Sequence, residues 1–146
     1  MKLAVVWTGK TKLPGVAGGT EEYVHRLGGF QRFAGFRAVE LAGKDPQAAL
    51  LRQAGGARLW LCDPAGRSFT SPEFARWLEK EATAHPQHEI LLAIGGADGF
   101  SPAVTAAAAG RISLSPLTYS HELARLMALE QLYRALAILT NHPYPH

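Results

Sequence analysis

The sequence predicts an α/β fold, a mostly parallel sheet with helices on both faces. Three observations carry this. Short apolar or β-rich runs recur along the chain. Each is followed by a segment with helical spacing and a recognisable cap. With 146 residues at 47% hydrophobic content, there is material for one ordinary core, and a single domain over 1–146 is expected.

The elements follow in order. LAVVWTG reads as a first strand ended by Gly9. KTKLPGVAGGT, with two lysines, a proline and three glycines, is expected to be a loop. EEYVHRLGGF then reads as a short helix, capped by Thr20 and stopped at Gly28 and Gly29. FRAVEL alternates as a second strand. In DPQAALLRQAGG, Asp45 caps a helix and Pro46 takes its first position. ARLWLCD is the third strand, closed by Pro64, Ala65 and Gly66. TSPEFARWLEKEATAH is the third helix, capped by Thr70 or Ser71, with Phe74, Trp77 and Leu78 at helical spacing. EILLAIGG is the fourth strand and SPAVTAAAAG the fourth helix, capped by Ser101 and ended at Gly110. RISLS is the fifth strand. HELARLMALEQLYRALAILT is a long last helix capped by Ser120, and NHPYPH is the tail.

Composition narrows the function. Cys62 is the lone cysteine, so no disulfide forms within the chain, which fits a reducing, cytoplasmic setting. The apolar run after Met1 and Lys2 is too short for a signal peptide or a membrane span. Residues 1–60 hold nine Lys/Arg against four Asp/Glu, and residues 61–146 hold six against eight. A basic N-terminal part suggests an anionic partner, with RNA the natural candidate. Lys10, Lys12, Arg26 and Arg32 are the candidate RNA contacts. A solvated basic face with no partner is the competing reading of the same charges.

The loops after strands three, four and five, CDPAGR, GGADGFS and SPLTYSH, all leave the carboxyl end of the sheet, where open α/β sheets bind ligands. Gly95 and Gly96 let backbone approach a ligand closely. The turn is neither a dinucleotide fingerprint nor a phosphate loop, so a plain strand-to-helix turn stays open. The last helix is apolar nearly all round, as either a central core helix or a helix shared with a second subunit. Within it, Glu130 precedes Arg134 by four residues, the favourable order for an ion pair. His121, His142 and His146 match no zinc spacing, and no metal site is expected.

Three stretches carry a family resemblance: VVWTGKTK with EEYVHRL, then LLAIGGADGFSP, then SLSPLTYSHELARLMALEQLYRALAILTNHPY. Together the chain resembles the RlmH family, SPOUT-class methyltransferases with a trefoil knot. The similarity spans nearly the whole chain and is most specific in its last third. It implies a homodimer that uses S-adenosylmethionine to methylate N3 of a pseudouridine in 23S ribosomal RNA, on the assembled ribosome. It also implies that the C-terminal segment threads a loop, which pattern reasoning alone does not predict. Carried over by position, the cofactor would be held by Cys62, Gly95, Gly96, Ser115, Pro116, Leu117, Thr118, Tyr119 and Ser120.

Methylating N3 requires an aligned donor and removal of a proton. His121, or Tyr144 and His146 of the tail, is the candidate to handle that proton; Arg125 and Arg134 are candidates to hold phosphate or base carbonyls. Two positions depart from the family pattern. Cys62 stands where leucine is usual. The tail ends Pro143, Tyr144, Pro145, His146, with a proline inserted and the terminal basic residue missing. The altered tail leaves a second reading, a ribosome-associated factor that keeps the fold without the activity. A generic nucleotide-binding protein is the third, disfavoured because no phosphate loop is present.

Overall fold

A computed structural model describes residues 1–144. Five strands form one sheet: β1 (Lys2–Thr8), β2 (Gly35–Leu41), β3 (Arg58–Ser68), β4 (Ile90–Ile94) and β5 (Gly110–Ser113). Their order is β2-β1-β4-β3-β5, and every pairing is parallel. The helices are α1 (Pro14–Gly28), α2 (Pro46–Ala54), α3 (Ser71–Ala84), α4 (Pro102–Ala107) and α5 (His121–Leu139).

Alternation along the strands divides the core in two. Leu3, Val5, Trp7, Leu92 and Ile94 pack with α1, α3 and α5. Ala4, Val6, Leu59, Leu61, Leu91 and Ala93 pack with α2 and α4. Both faces are covered, which explains why strands such as LAVVW and ILLAI read as continuous apolar runs. β4 is buried at all five positions.

The expected caps form where the sequence places them. Asp45 accepts from the Ala48 amide, Ser101 from Val104 and Ser120 from Leu123. Thr70 and Glu73 complete a reciprocal capping box, which resolves the choice between Thr70 and Ser71.

The segment expected as a loop over 10–20 is corrected. α1 starts at Pro14 and runs through the glycines, so Thr20 lies inside the helix, buried, and caps nothing. The reason is tertiary. A Cβ on Gly19 would come within 3.1 Å of the Leu126 side chain, so glycine lets α1 lie close against α5. The start of α1 has no side-chain cap of its own; instead the Lys12 and Leu13 amides donate to the Glu122 carboxylate, 2.5 and 3.1 Å away.

β3 is also longer than expected. Its pairing with β5 slips between Cys62 and Arg67 and then resumes to Ser68, so residues 63–66 bulge out of the sheet. Gly66 lies where the bulge crosses β5, and a Cβ there would meet backbone atoms of Arg111 and Ile112 at 2.7 Å. Gly110, expected to end α4, is the first residue of β5.

Gly66→Ala is therefore expected to destabilise the fold by about 2–3 kcal/mol, since neither backbone can yield. Gly18→Ala, mid-helix with open space at its Cβ, is expected to stabilise by roughly 0.5–1 kcal/mol. Urea unfolding of the two variants checks both signs.

Candidate functional site

Register builds the site. Trp7 pairs with Ile94, Ile94 with Cys62, and Cys62 with Ile112, so β1, β4 and β5 approach their carboxyl ends in the same row in which β3 enters its bulge. The segments leaving that row border a cleft of about 360 Å³, within the ~300–1,000 Å³ usual for small-molecule sites. Its walls come from the β3 bulge, the glycine turn after β4, the loop over 114–120, and the first turn of α5.

Eight of the nine expected cofactor residues line it: Cys62, Gly95, Gly96, Ser115, Leu117, Thr118, Tyr119 and Ser120. Pro116 is exposed and points to no wall of this cleft. The walls themselves are held from within. The Gln47 side chain donates to the Gly99 carbonyl at 3.1 Å and accepts from the Ser101 amide at 2.9 Å, fixing the glycine turn. Ser113 Oγ donates to the Ser115 carbonyl at 2.9 Å, and Ser115 Oγ accepts from the Leu117 amide at 3.1 Å, fixing the other loop. Leu117 is 68% exposed at the rim, an apolar surface without core contacts to cover it. Asp63 brings a carboxylate to the lining, with Arg111 3.8 Å away. Burial pushes the Cys62 thiol up to about 12, so this wall is apolar and uncharged at neutral pH.

The proton-handling and anion-holding candidates do not gather in one place. His121 lines the cleft, with Ala124 one turn on. Arg125 is fully buried. Its Nη1 donates to the Gly9 carbonyl at 3.2 Å and to Thr11 Oγ1 at 2.8 Å, and its Nη2 donates to the Thr8 carbonyl at 3.1 Å. The expectation that Arg125 holds phosphate is corrected: its terminal nitrogens are spent on the chain's own oxygens. Arg134 forms a 2.6 Å ion pair with Glu130, as the spacing predicts, and lies 4.7 Å from the centre of the Tyr144 ring. Tyr144 shares a 2.8 Å hydrogen bond with the Tyr23 hydroxyl and donates to Glu130 at 3.2 Å. Burial, with those neighbours, raises its phenol well above the ordinary range, so it is no base at neutral pH. Both residues border a second groove with Ser71, Ile138 and His142, and Arg134 is 13 positions and about 20 Å along α5 from His121. His146 lies outside the described residues.

The four candidate RNA contacts are all exposed but fall into two groups. Lys10 and Lys12 sit between β1 and α1, beside the first turn of α5 through the Glu122 contact. Arg26 and Arg32 are at the far end of α1, about 20 Å away. Arg26 is also engaged, paired with Glu22 at 2.7 Å and lying over the Tyr23 and Tyr133 rings.

Sequence reasoning missed the apolar walls Ile94, Leu114 and Ala124, which flank loops it did identify, and Phe100, which lies within one of them. It also missed Glu122, whose partners lie 109 and 110 positions away and leave no local signal.

A family model described as "Predicted SPOUT methyltransferase" matches residues 1–146. Relatives named "Ribosomal RNA large subunit methyltransferase H" occur in Geotalea daltonii, Geobacter sp. strain M21 and Porphyromonas gingivalis. They are 37%, 38% and 37% identical, over all of this chain and 100%, 99% and 99% of theirs. In fold, the chain is similar to a probable methyltransferase from Bordetella pertussis Tohama I, with a TM-score of 0.58 and 12% identity. That match covers 92% of this chain and 95% of the other.

The raised Cys62 thiol gives a direct check. At pH 8 its alkylation by iodoacetamide is expected to be at least ~100-fold slower than that of a free thiol and to accelerate on unfolding. A native rate near that of a free thiol would contradict an apolar cleft wall.

Proposed function

The chain belongs to the ribosomal RNA large subunit methyltransferase H family of SPOUT methyltransferases, and from that premise we propose that it moves a methyl group from S-adenosylmethionine to N3 of a pseudouridine in 23S ribosomal RNA, on the assembled ribosome. The observation that carries this reading is the cleft at the carboxyl row, with its glycine turn, apolar walls and two braced loops.

The residues present suit that cofactor. Gly95 and Gly96 keep side chains out of the turn, so backbone amides and carbonyls can meet an adenine edge or ribose. A Cβ on Gly95 would stand 3.3 Å from the Phe100 ring, so a larger residue there would have to push the ring aside. Ile94, Leu114, Leu117 and Ala124 offer apolar surface to a nucleoside base. Asp63 complements the positive charge of a sulfonium donor. When bound, S-adenosylmethionine supplies an electrophilic methyl carbon. The chain's own contribution is to align that carbon with N3, exclude water, and accept the N3 proton. His121 carries the last role, as the imidazole on the cleft wall. Lys10 and Lys12, on the segment that Glu122 holds against the first turn of α5, hold RNA phosphate.

The reading includes a homodimer. Arg134 lies too far along α5 to reach His121 in its own chain, and Tyr144 of the tail packs beside Arg134, so any part they take in transfer needs a second subunit. Leu123 and Ile138, exposed on α5, supply apolar area for that contact. A trefoil knot in the C-terminal segment and a cytoplasmic location complete the proposal. Among the described residues, no helix is long and apolar enough to cross a membrane.

Calorimetry is expected to show one S-adenosylmethionine bound per chain; no binding favours the non-enzymatic factor. Mass mapping of 23S RNA is expected to show one methylated pseudouridine that disappears when the gene is deleted, and an unchanged map would contradict the activity. His121→Ala is expected to keep cofactor affinity while its turnover on ribosomes falls about 100-fold or more. Undiminished turnover removes His121 from the chemistry.

A further inference from the structure

The first turn of α5 has two faces. His121 and Ala124 line the cleft. Glu122 and Arg125 turn the other way and take hold of the segment between β1 and α1. That segment ends β1, begins α1, and carries Lys10 and Lys12. It contains Gly9 at φ +78, so its path is a sharp turn that regular backbone pairing does not hold. Away from α5, the Gly9 amide donates to the Leu41 carbonyl at 3.0 Å.

Arg125 does what a planar fork suits it for. Two nitrogens reach three oxygens on different residues, and the guanidinium lies 5.6 Å from the centre of the Trp7 ring. Burying a cation is costly unless it is bonded, and the chain places it here fully covered. Its Nε has no partner among the described residues, so the burial is not explained by full satisfaction of the group. Glu122 accepts from two successive amides at the start of α1, which draws its carboxyl below the usual carboxylate range. Thr8 closes the circuit, because a Cβ on Gly96 would stand 3.9 Å from its Cβ, so the anchored segment borders the glycine turn as well.

We infer that Arg125 and Glu122 are positioning residues for the substrate: together they fix the Lys10 and Lys12 segment, which adjoins the glycine turn through Thr8, so that RNA is presented in register with the donor site. Neither touches RNA or cofactor. This rests on the proposed reading of function, since it assigns the two lysines to RNA phosphate.

The test uses the full-length homodimer-competent protein and ribosomes from cells lacking the gene. Arg125→Met keeps the apolar stem and removes every donor. Glu122→Ala is the milder arm, with Glu122→Gln as its rescue because the amide oxygen still accepts. Initial rates at varied ribosome concentration are expected to show KM raised about fivefold or more in Arg125→Met and Glu122→Ala. Turnover and S-adenosylmethionine affinity stay within about twofold, and Glu122→Gln recovers most of the loss. The salt dependence of ribosome binding is expected to flatten by about one to two units of log–log slope, as in the Lys10→Ala/Lys12→Ala double variant. Adding Arg125→Met to that double variant is expected to cost little more, because both act on one contact.

Losses that multiply independently would overturn the inference, as would an unchanged salt slope or a fall in cofactor affinity that tracks the melting temperature. Wild-type protein that transfers no methyl group would instead defeat the functional reading, while the salt slopes would still decide whether the clamp serves RNA binding.

Discussion

The level register of four parallel strands is the constraint on which the molecule depends. Trp7, Ile94, Cys62 and Ile112 lie side by side in register, because β4, buried throughout, pairs with β1 on one edge and β3 on the other, and β3 pairs with β5. At about 4.8 Å per strand, the segments that follow emerge within roughly 15 Å of each other. A one-residue slip would exchange each strand's residues between the two core halves and would also misalign the cleft walls. Fold stability and site geometry are set by the same pairing.

The helices divide their labour accordingly. α2 and α4 cover one face, and Gln47 of α2 reaches past the sheet to brace the glycine turn. α1, α3 and α5 cover the other. α5 carries the most varied load. Its first turn meets the cleft and the basic segment, its middle is core, and its end holds the Arg134, Glu130 and Tyr144 cluster. That explains why its apolar residues show no single stripe: different parts of the helix are buried by different neighbours.

Local chemistry was legible in the sequence wherever the signal was local. Buried strands, proline at first helical turns, and the Asp45, Thr70, Ser101 and Ser120 caps follow from residues within a few positions of each other. The Glu130 and Arg134 pair was legible for the same reason. What failed was decided at long range. The glycine-rich start of α1 is helical because Leu126 packs on Gly19 and Glu122 caps it from the far end of the chain. The β3 bulge exists because β5 approaches Gly66 closely, and a Pro-Ala-Gly sequence reads locally as an end. Arg125 was a candidate to hold phosphate or base carbonyls in methyl transfer; only the fold shows its donors turned inward. The loops that border the cleft were legible from their place after the strands, and the apolar walls between them were not, since nothing in an isolated Ile94 or Leu114 marks which surface it faces.

The account comes to rest on what occupies the carboxyl row. A crystal structure grown with S-adenosylmethionine decides it most directly. The nucleoside is expected between the glycine turn at Gly95 and Gly96 and the loop over 115–120, with the methyl group open toward His121 and the basic segment. Density for the cofactor in the groove beside Tyr144, or a cleft closed by Leu117 and Tyr119 with no cofactor in it, would contradict the account.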